Sequence, residues 1–280
     1  MPFTRALRAL LVASVLATVL AAPPASAEGG GDATVLSFGT AAFHGSTEGT
    51  RLAAPLVGMA STPSGDGYWL ASADGGVFGF GAARFHGSAG AVRLNQPIVG
   101  MAATPDGGGY WLVARDGGIF AFGNAAYFGS TGGSRLNQPI VGMAATPDGG
   151  GYWLVARDGG IFAFGNAAFL GSTGAVRLNQ PIVGMAPTAD GAGYWLVARD
   201  GGVFAFGNAA FHGSAVGLRL SRPVAALARS AGGNGYWIAS ADGGVYSFGD
   251  AVFAGAGAGR VPPGKAVVAM VPSPAGGYWL

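Results

Sequence analysis

The chain has 280 residues, with 15 Lys+Arg against 13 Asp+Glu, and charged residues make up 10% of it, well below the ~25% of an ordinary soluble domain. Two of the basic residues, Arg5 and Arg8, fall in a stretch expected to be removed, leaving 13 of each sign. That balance excludes a basic nucleic-acid groove despite the high isoelectric point, and 50% apolar residues exclude disorder driven by charge.

Residues 1–27 carry the three parts of a secretory signal peptide. Arg5 and Arg8 form the positive region, Leu10–Ala22 the apolar region, and Ala25-Ser26-Ala27 a small-residue cleavage site. The apolar stretch is too short to span a bilayer and runs into Pro23-Pro24. The mature protein, residues 28–280, is therefore expected to be secreted, with no membrane insertion after cleavage. There is no cysteine, so disulfide staples, thiol chemistry and zinc–thiolate sites are excluded.

A period of 42 residues runs through the mature chain. Tyr-Trp recurs at Tyr68, Tyr110, Tyr152, Tyr194, Tyr236 and Tyr278. Phe-Gly recurs at Phe38, Phe80, Phe122, Phe164, Phe206 and Phe248, and aspartate at Asp32, Asp74, Asp116, Asp158, Asp200 and Asp242. Residues 93–126 and 135–168 are identical, the mark of internal duplication. Within one unit, IVGMAAT reads as a strand and TPDGGG as a turn. GYWLVAR reads as a second strand, and the Asp-Gly-Gly after it as a hairpin signal. IFAFG reads as a third strand, AYFGS as a short outer strand, and TGGSRLNQP as the link to the next unit.

Four short strands per unit predict an all-β fold, a six-bladed β-propeller with four-stranded blades. Residues 28–280 span six periods to within one residue. The chain starts before a third strand and stops inside a second one, so closure by strands shared between the N- and C-termini is expected, with the sixth blade drawn from residues near 34–47 and 267–280.

The unit IVGMAATPDGGGYWLVARDGGIFAFGNAA resembles the repeat of secreted β-propeller proteins of high-GC bacteria. More distantly, DG-x-F-x-FG is similar to the repeats of the RCC1 and tectonin propellers. The resemblance covers residues 28–280 and implies the fold firmly. Function it implies only weakly, because propellers host lectins, scaffolds, hydrolases and lyases.

The Tyr-Trp pairs read as packing between blades in preference to sugar platforms, and the repeated aspartates as turn residues. His44, His86 and His212 share one repeat phase and are expected to be spread around the rim, with no common metal site. No cofactor is expected. Glutamate occurs only at Glu28 and Glu48, and a glycosidase needs two carboxylates in unlike environments; only Asp66 and Asp250 break the symmetry of the aspartates.

A polar set repeats in three consecutive units, on the face where the second-to-third-strand turns meet the links. It comprises Asn95, Gln96 and Arg115; Asn137, Gln138 and Arg157; and Asn179, Gln180 and Arg199. Other units carry Ala54 or Arg222 for the glutamine, and Ala73 or Ala241 for the arginine. Arginine forks and amides suit hydroxyl-rich or anionic glycans, although duplication alone would also copy residues that merely brace the link. The expected function is a monomeric, non-catalytic binding or scaffold module whose partner is an extracellular glycan or protein. The alternative is a propeller enzyme, a glycoside hydrolase or polysaccharide lyase.

Overall fold

The computed structural model describes residues 33–280; the expected signal peptide, residues 1–27, lies outside them. The described residues form strands and no helix, so none offers a helix long and apolar enough to cross a membrane. β2 (Leu56–Ser61), β3 (Gly67–Ser72) and β4 (Val77–Gly81) make the first antiparallel sheet. The second contains β5 (Ile98–Ala103), β6 (Gly109–Ala114) and β7 (Ile119–Gly123). The third contains β8 (Ile140–Ala145), β9 (Gly151–Ala156) and β10 (Ile161–Gly165). The fourth contains β11 (Ile182–Pro187), β12 (Gly193–Ala198) and β13 (Val203–Gly207). The fifth contains β14 (Val224–Arg229), β15 (Gly235–Ser240) and β16 (Val245–Gly249). A sixth takes β1 (Ser37–Phe38), with β17 (Val271–Pro272) and β18 (Tyr278–Trp279) from the far end of the chain, in the order β1-β18-β17.

The result is six three-stranded sheets in a repeated arrangement, consistent with a six-fold, propeller-like fold. The first strands follow one another side by side from β2 through β5, β8 and β11 to β14, and β17 lies against both β14 and β2. Glycine permits the approach: a Cβ on Gly58 would stand 3.2 Å from the Met101 nitrogen of the next sheet.

The middle strand of each of the first five sheets is buried at every position, because both of its faces are covered by neighbouring sheets. This explains why GYWLVA does not alternate with polar residues. Each tryptophan packs on the tyrosine of the following sheet, from Trp69 on Tyr110 to Trp237 on Tyr278, and Trp279 on Tyr68. Ring centroids are 5.2–5.8 Å apart, within the range where tilted aromatic pairs add about 0.5–1.5 kcal/mol beyond burial.

The expected fourth strand is not part of the ladders. In the second unit the described segment 125–130 carries no strand, because its peptide groups are bonded to side chains instead. The Trp111 indole donates to the Ala126 carbonyl (2.7 Å). The Tyr152 hydroxyl, from the next sheet, accepts from the Phe128 N–H (3.1 Å) and donates to the Gly129 carbonyl (2.6 Å). Gly129 has φ +133°, and a Cβ there would meet the Phe164 ring at 2.6 Å. The segment thus leaves its own sheet edge and lies down on the following sheet. Burial pushes the hydroxyls of all six repeat tyrosines above their ordinary pKa, so they stay protonated and able to donate.

Tyr152→Phe keeps the ring but strands the Phe128 N–H and the Gly129 carbonyl. Urea unfolding should show a loss of about 1–3 kcal/mol, the cost of leaving such groups unsatisfied. A change below about 0.5 kcal/mol would show that water replaces the hydroxyl and that the segment is held by packing alone.

Candidate functional site

A β-bulge shapes one end of the molecule. In each of the first five sheets the first strand slips register by one residue, as between Ile98 and Gly100, and a bulge re-aims the extra side chain. The extra residues Val57, Val99, Val141, Val183 and Ala225 line a common cavity of about 560 Å³. Its mouth is formed by Arg115, Arg157, Arg199 and Arg222 above a wall of proline, isoleucine and valine.

The backbone holds these arginines in place. The Arg115 N–H donates to Pro97 (2.9 Å), and the Arg115 carbonyl accepts from Ile140 of the next sheet (2.9 Å). Arg157 bonds in the same way to Pro139 and Ile182, and Arg199 to Pro181 and Val224. The aspartate after each arginine serves its turn: Asp116, Asp158 and Asp200 accept from Gly118, Gly160 and Gly202 at 2.9–3.1 Å. Backbone hydrogen bonds fix the positions of Arg115, Arg157 and Arg199, while their side chains are exposed and make no hydrogen bond among the described residues.

The structure brings together the three arginines expected from the repeat but separates them from most of the amides. Asn95 and Gln96 line a shallow cleft of about 260 Å³ with Asp74. Gln138, Asn179 and Gln180 line another of about 260 Å³, which Arg157 also borders. Asn137 is exposed on the link beside Gln138. None of these amides is hydrogen-bonded among the described residues, so bracing the link does not account for them. Comparison of the units by phase noted Arg222 only as a departure at the glutamine position and left it out of the candidate set. Its side chain reaches the same mouth and donates to the Lys265 carbonyl (2.7 Å).

The opposite ends of the same strands carry carboxylates. Asp106 accepts from Thr104 (2.7 Å), the Gly108 N–H (3.0 Å) and Asn124 (2.6 Å). Asp148 and Asp190 repeat this arrangement with Asn166 and Asn208. Asp66 and Asp250, which break the sequence pattern, do the same work from other positions. Asp66 accepts from Thr62 (2.8 Å), and Asp250 from Ser230 (2.5 Å). Hydrogen bonds from these hydroxyls hold Asp106, Asp148 and Asp190 below the usual carboxylate pKa; Asp66 is lowered mainly by Ser64, then Thr62. Lowered carboxylates are acceptors, the reverse of a general acid.

The histidines sit one to a junction between sheets. His44 packs on Trp279 and Tyr68, and its Nε2 donates to Gly65 (3.1 Å); His86 packs on Trp69 and Tyr110, and its Nε2 donates to Gly107 (3.2 Å). No group of three His, Cys, Asp or Glu among the described residues is placed to hold a metal.

Because their folded-state pKa values are depressed, Asp106, Asp148 and Asp190 stabilise the protein above the ordinary carboxylate value, about 4. That contribution is lost as pH falls through the lower folded values. Replacing all three by Asn should flatten the acid limb of a melting-temperature profile below about pH 4. An unchanged acid limb would place the acid sensitivity elsewhere. No protein-family model and no curated protein matches this chain, so its function has to be argued from this geometry.

Proposed function

We infer that the chain is a secreted, six-bladed β-propeller that binds an anionic extracellular glycan at its arginine-rimmed axial mouth without transforming it. The closed ring is supported by the pairing of β1 with β18, the seating of β17 between β14 and β2, and the contact of Trp279 with Tyr68. Shared strands at the closing sheet would hide its open edges and hold together the ends of a chain that has no cysteine.

One observation carries the binding role. The described lining of the mouth has four arginines and otherwise only proline, alanine, valine and isoleucine. Guanidinium forks recognise carboxylate, sulfate and phosphate groups, and arginine does not give up its proton in proteins. A hydrolase needs a carboxylate pair and a lyase a proton acceptor, and this lining offers neither.

An array of carboxylated, sulfated, phosphorylated and neutral glycans, probed with residues 28–280, tests the reading. Binding should be confined to anionic members and weaken as salt rises. Each of Arg115→Ala, Arg157→Ala and Arg199→Ala should cost about 1–3 kcal/mol of affinity, and the triple variant should lose most of it while melting normally. Equal retention of neutral and anionic glycans, or unchanged affinity in the folded triple variant, would refute the axial site.

Deleting Val267–Leu280 tests the closure. It removes β17 and β18 and should cost more than a single core substitution, enough to consume most of the ~5–15 kcal/mol that stabilises a domain. A truncated protein with the melting temperature of the full mature chain would rule out closure by shared strands.

A further inference from the structure

Most junctions between sheets are bridged by a proline, and a pocket lies at one of those that lack it. At four junctions a proline fills the gap to a glycine of the neighbouring sheet. Pro63 faces Gly107, Pro105 faces Gly149, Pro147 faces Gly191 and Pro274 faces Gly65, each proline Cδ standing 2.8 Å from where the glycine's Cβ would lie. Between the fourth and fifth sheets the repeat places Ala189 instead, 3.6 Å from the corresponding point on Gly233. A pocket of about 250 Å³ lies there, at the strand ends opposite the arginine mouth.

Its histidine is also released. His44 and His86 each donate Nε2–H to the glycine carbonyl across their junction. His212 packs on Trp195 and Tyr236 as they do on their own neighbours, yet its imidazole makes no hydrogen bond among the described residues. It lines the pocket with Asn208, Asn234 and Asp190.

We propose that this pocket binds one neutral pyranose residue of a glycan. Ala210 and the edge of the otherwise buried Trp195 give an apolar border, while the imidazole, two amides and the carboxylate supply donors and acceptors for hydroxyl groups. Asp190 is the one carboxylate among the lining residues, which include no lysine or arginine; the Arg229 guanidinium stands 3.6 Å from the Cβ point of Gly233, so the surroundings carry both signs and favour a neutral ligand. The volume is below the ~300–1,000 Å³ of sites for drug-sized ligands and suits a single ring. The assignment does not rest on the axial mouth, which lies at the other end of the strands and favours anions.

The test is titration of ¹⁵N-labelled residues 28–280 with the methyl glycosides of glucose, galactose, mannose and N-acetylglucosamine. Concentrations up to about 10 mM cover the weak affinity of a single-ring site. At least one should give saturable shifts confined to residues near 188–192, 208–212 and 232–234. Ala189→Pro installs the residue that other units carry and closes the gap, and His212→Phe installs the residue found at Phe128. Each variant should weaken binding at least about tenfold, ~1.4 kcal/mol. Absence of saturable shifts with all four glycosides would overturn the proposal, as would unchanged affinity in both variants. The probes are neutral, so either result leaves the anionic reading of the axial mouth to its own experiment.

Discussion

Burying a phenol and an indole side by side in every unit creates a polar debt that the fold has to settle, and the way it is settled organises the molecule. Each ring pair fills the space between two sheets. The hydroxyl and the indole N–H still need partners, and they find them in the outer segments, which have left their own ladders. The indole binds the segment of its own unit, and the phenol binds the segment arriving from the preceding one. One dipeptide therefore links three pieces of chain: its own strand, its own outer segment and its neighbour's. In a protein with no cysteine, this repeated bridge supplies the connections between sheets that a covalent link would otherwise provide.

The architecture was largely legible in the sequence because the period is long, regular and marked by bulky residues. The three strands of each unit fall where IVGMAA, GYWLVA and IFAFG place them. The outer strand did not form, and alternation could not reveal this. AYFGS has the composition of a strand, but its backbone is satisfied by Tyr152 and Trp111 from outside the ladder, a competition visible only in three dimensions. The turn role of the repeated aspartates followed from the affinity of Asp for turn backbone, and the geometry bears it out for Asp74, Asp116, Asp158, Asp200 and Asp242; Asp32 lies outside the described residues.

The candidate site was legible only in part, for a related reason. Aligning units by phase finds residues that repeat, so it found Arg115, Arg157 and Arg199 and grouped them with the amides of the same links. A cavity groups side chains by reach instead. Arg222, from the phase that elsewhere carries glutamine, is long enough to enter the mouth, whereas Asn95 and Gln96 open onto a separate cleft. Phase misled in the opposite sense for Asp66 and Asp250. They look like exceptions in sequence, yet each returns a carboxylate to the same threonine or serine hydroxyl.

A departure from the repeat therefore matters only when nothing nearby compensates for it. Where Asp106 and its equivalents are absent, Asp66 restores the hydrogen bond in the first unit and Asp250 in the fifth, whereas the buried Ser273 hydroxyl of the sixth has no partner among the described residues. Ala189 and Ala231 both lack the proline ring, and at Ala189 the Gly233 carbonyl also receives no bond from His212, unlike the carbonyls that His44 and His86 reach. The two proposed sites illustrate two ways in which near-identical units can acquire function. At the arginine mouth, repetition multiplies one cation around an axis, which suits a polyanion presenting many similar groups. At the junction of the fourth and fifth sheets, a missing proline ring and an unbonded imidazole occur together, which suits a ligand recognised by its individual hydroxyls. An extended glycan bearing both acidic and neutral residues could engage the first by charge and the second by shape, with selectivity set by the spacing between its residues.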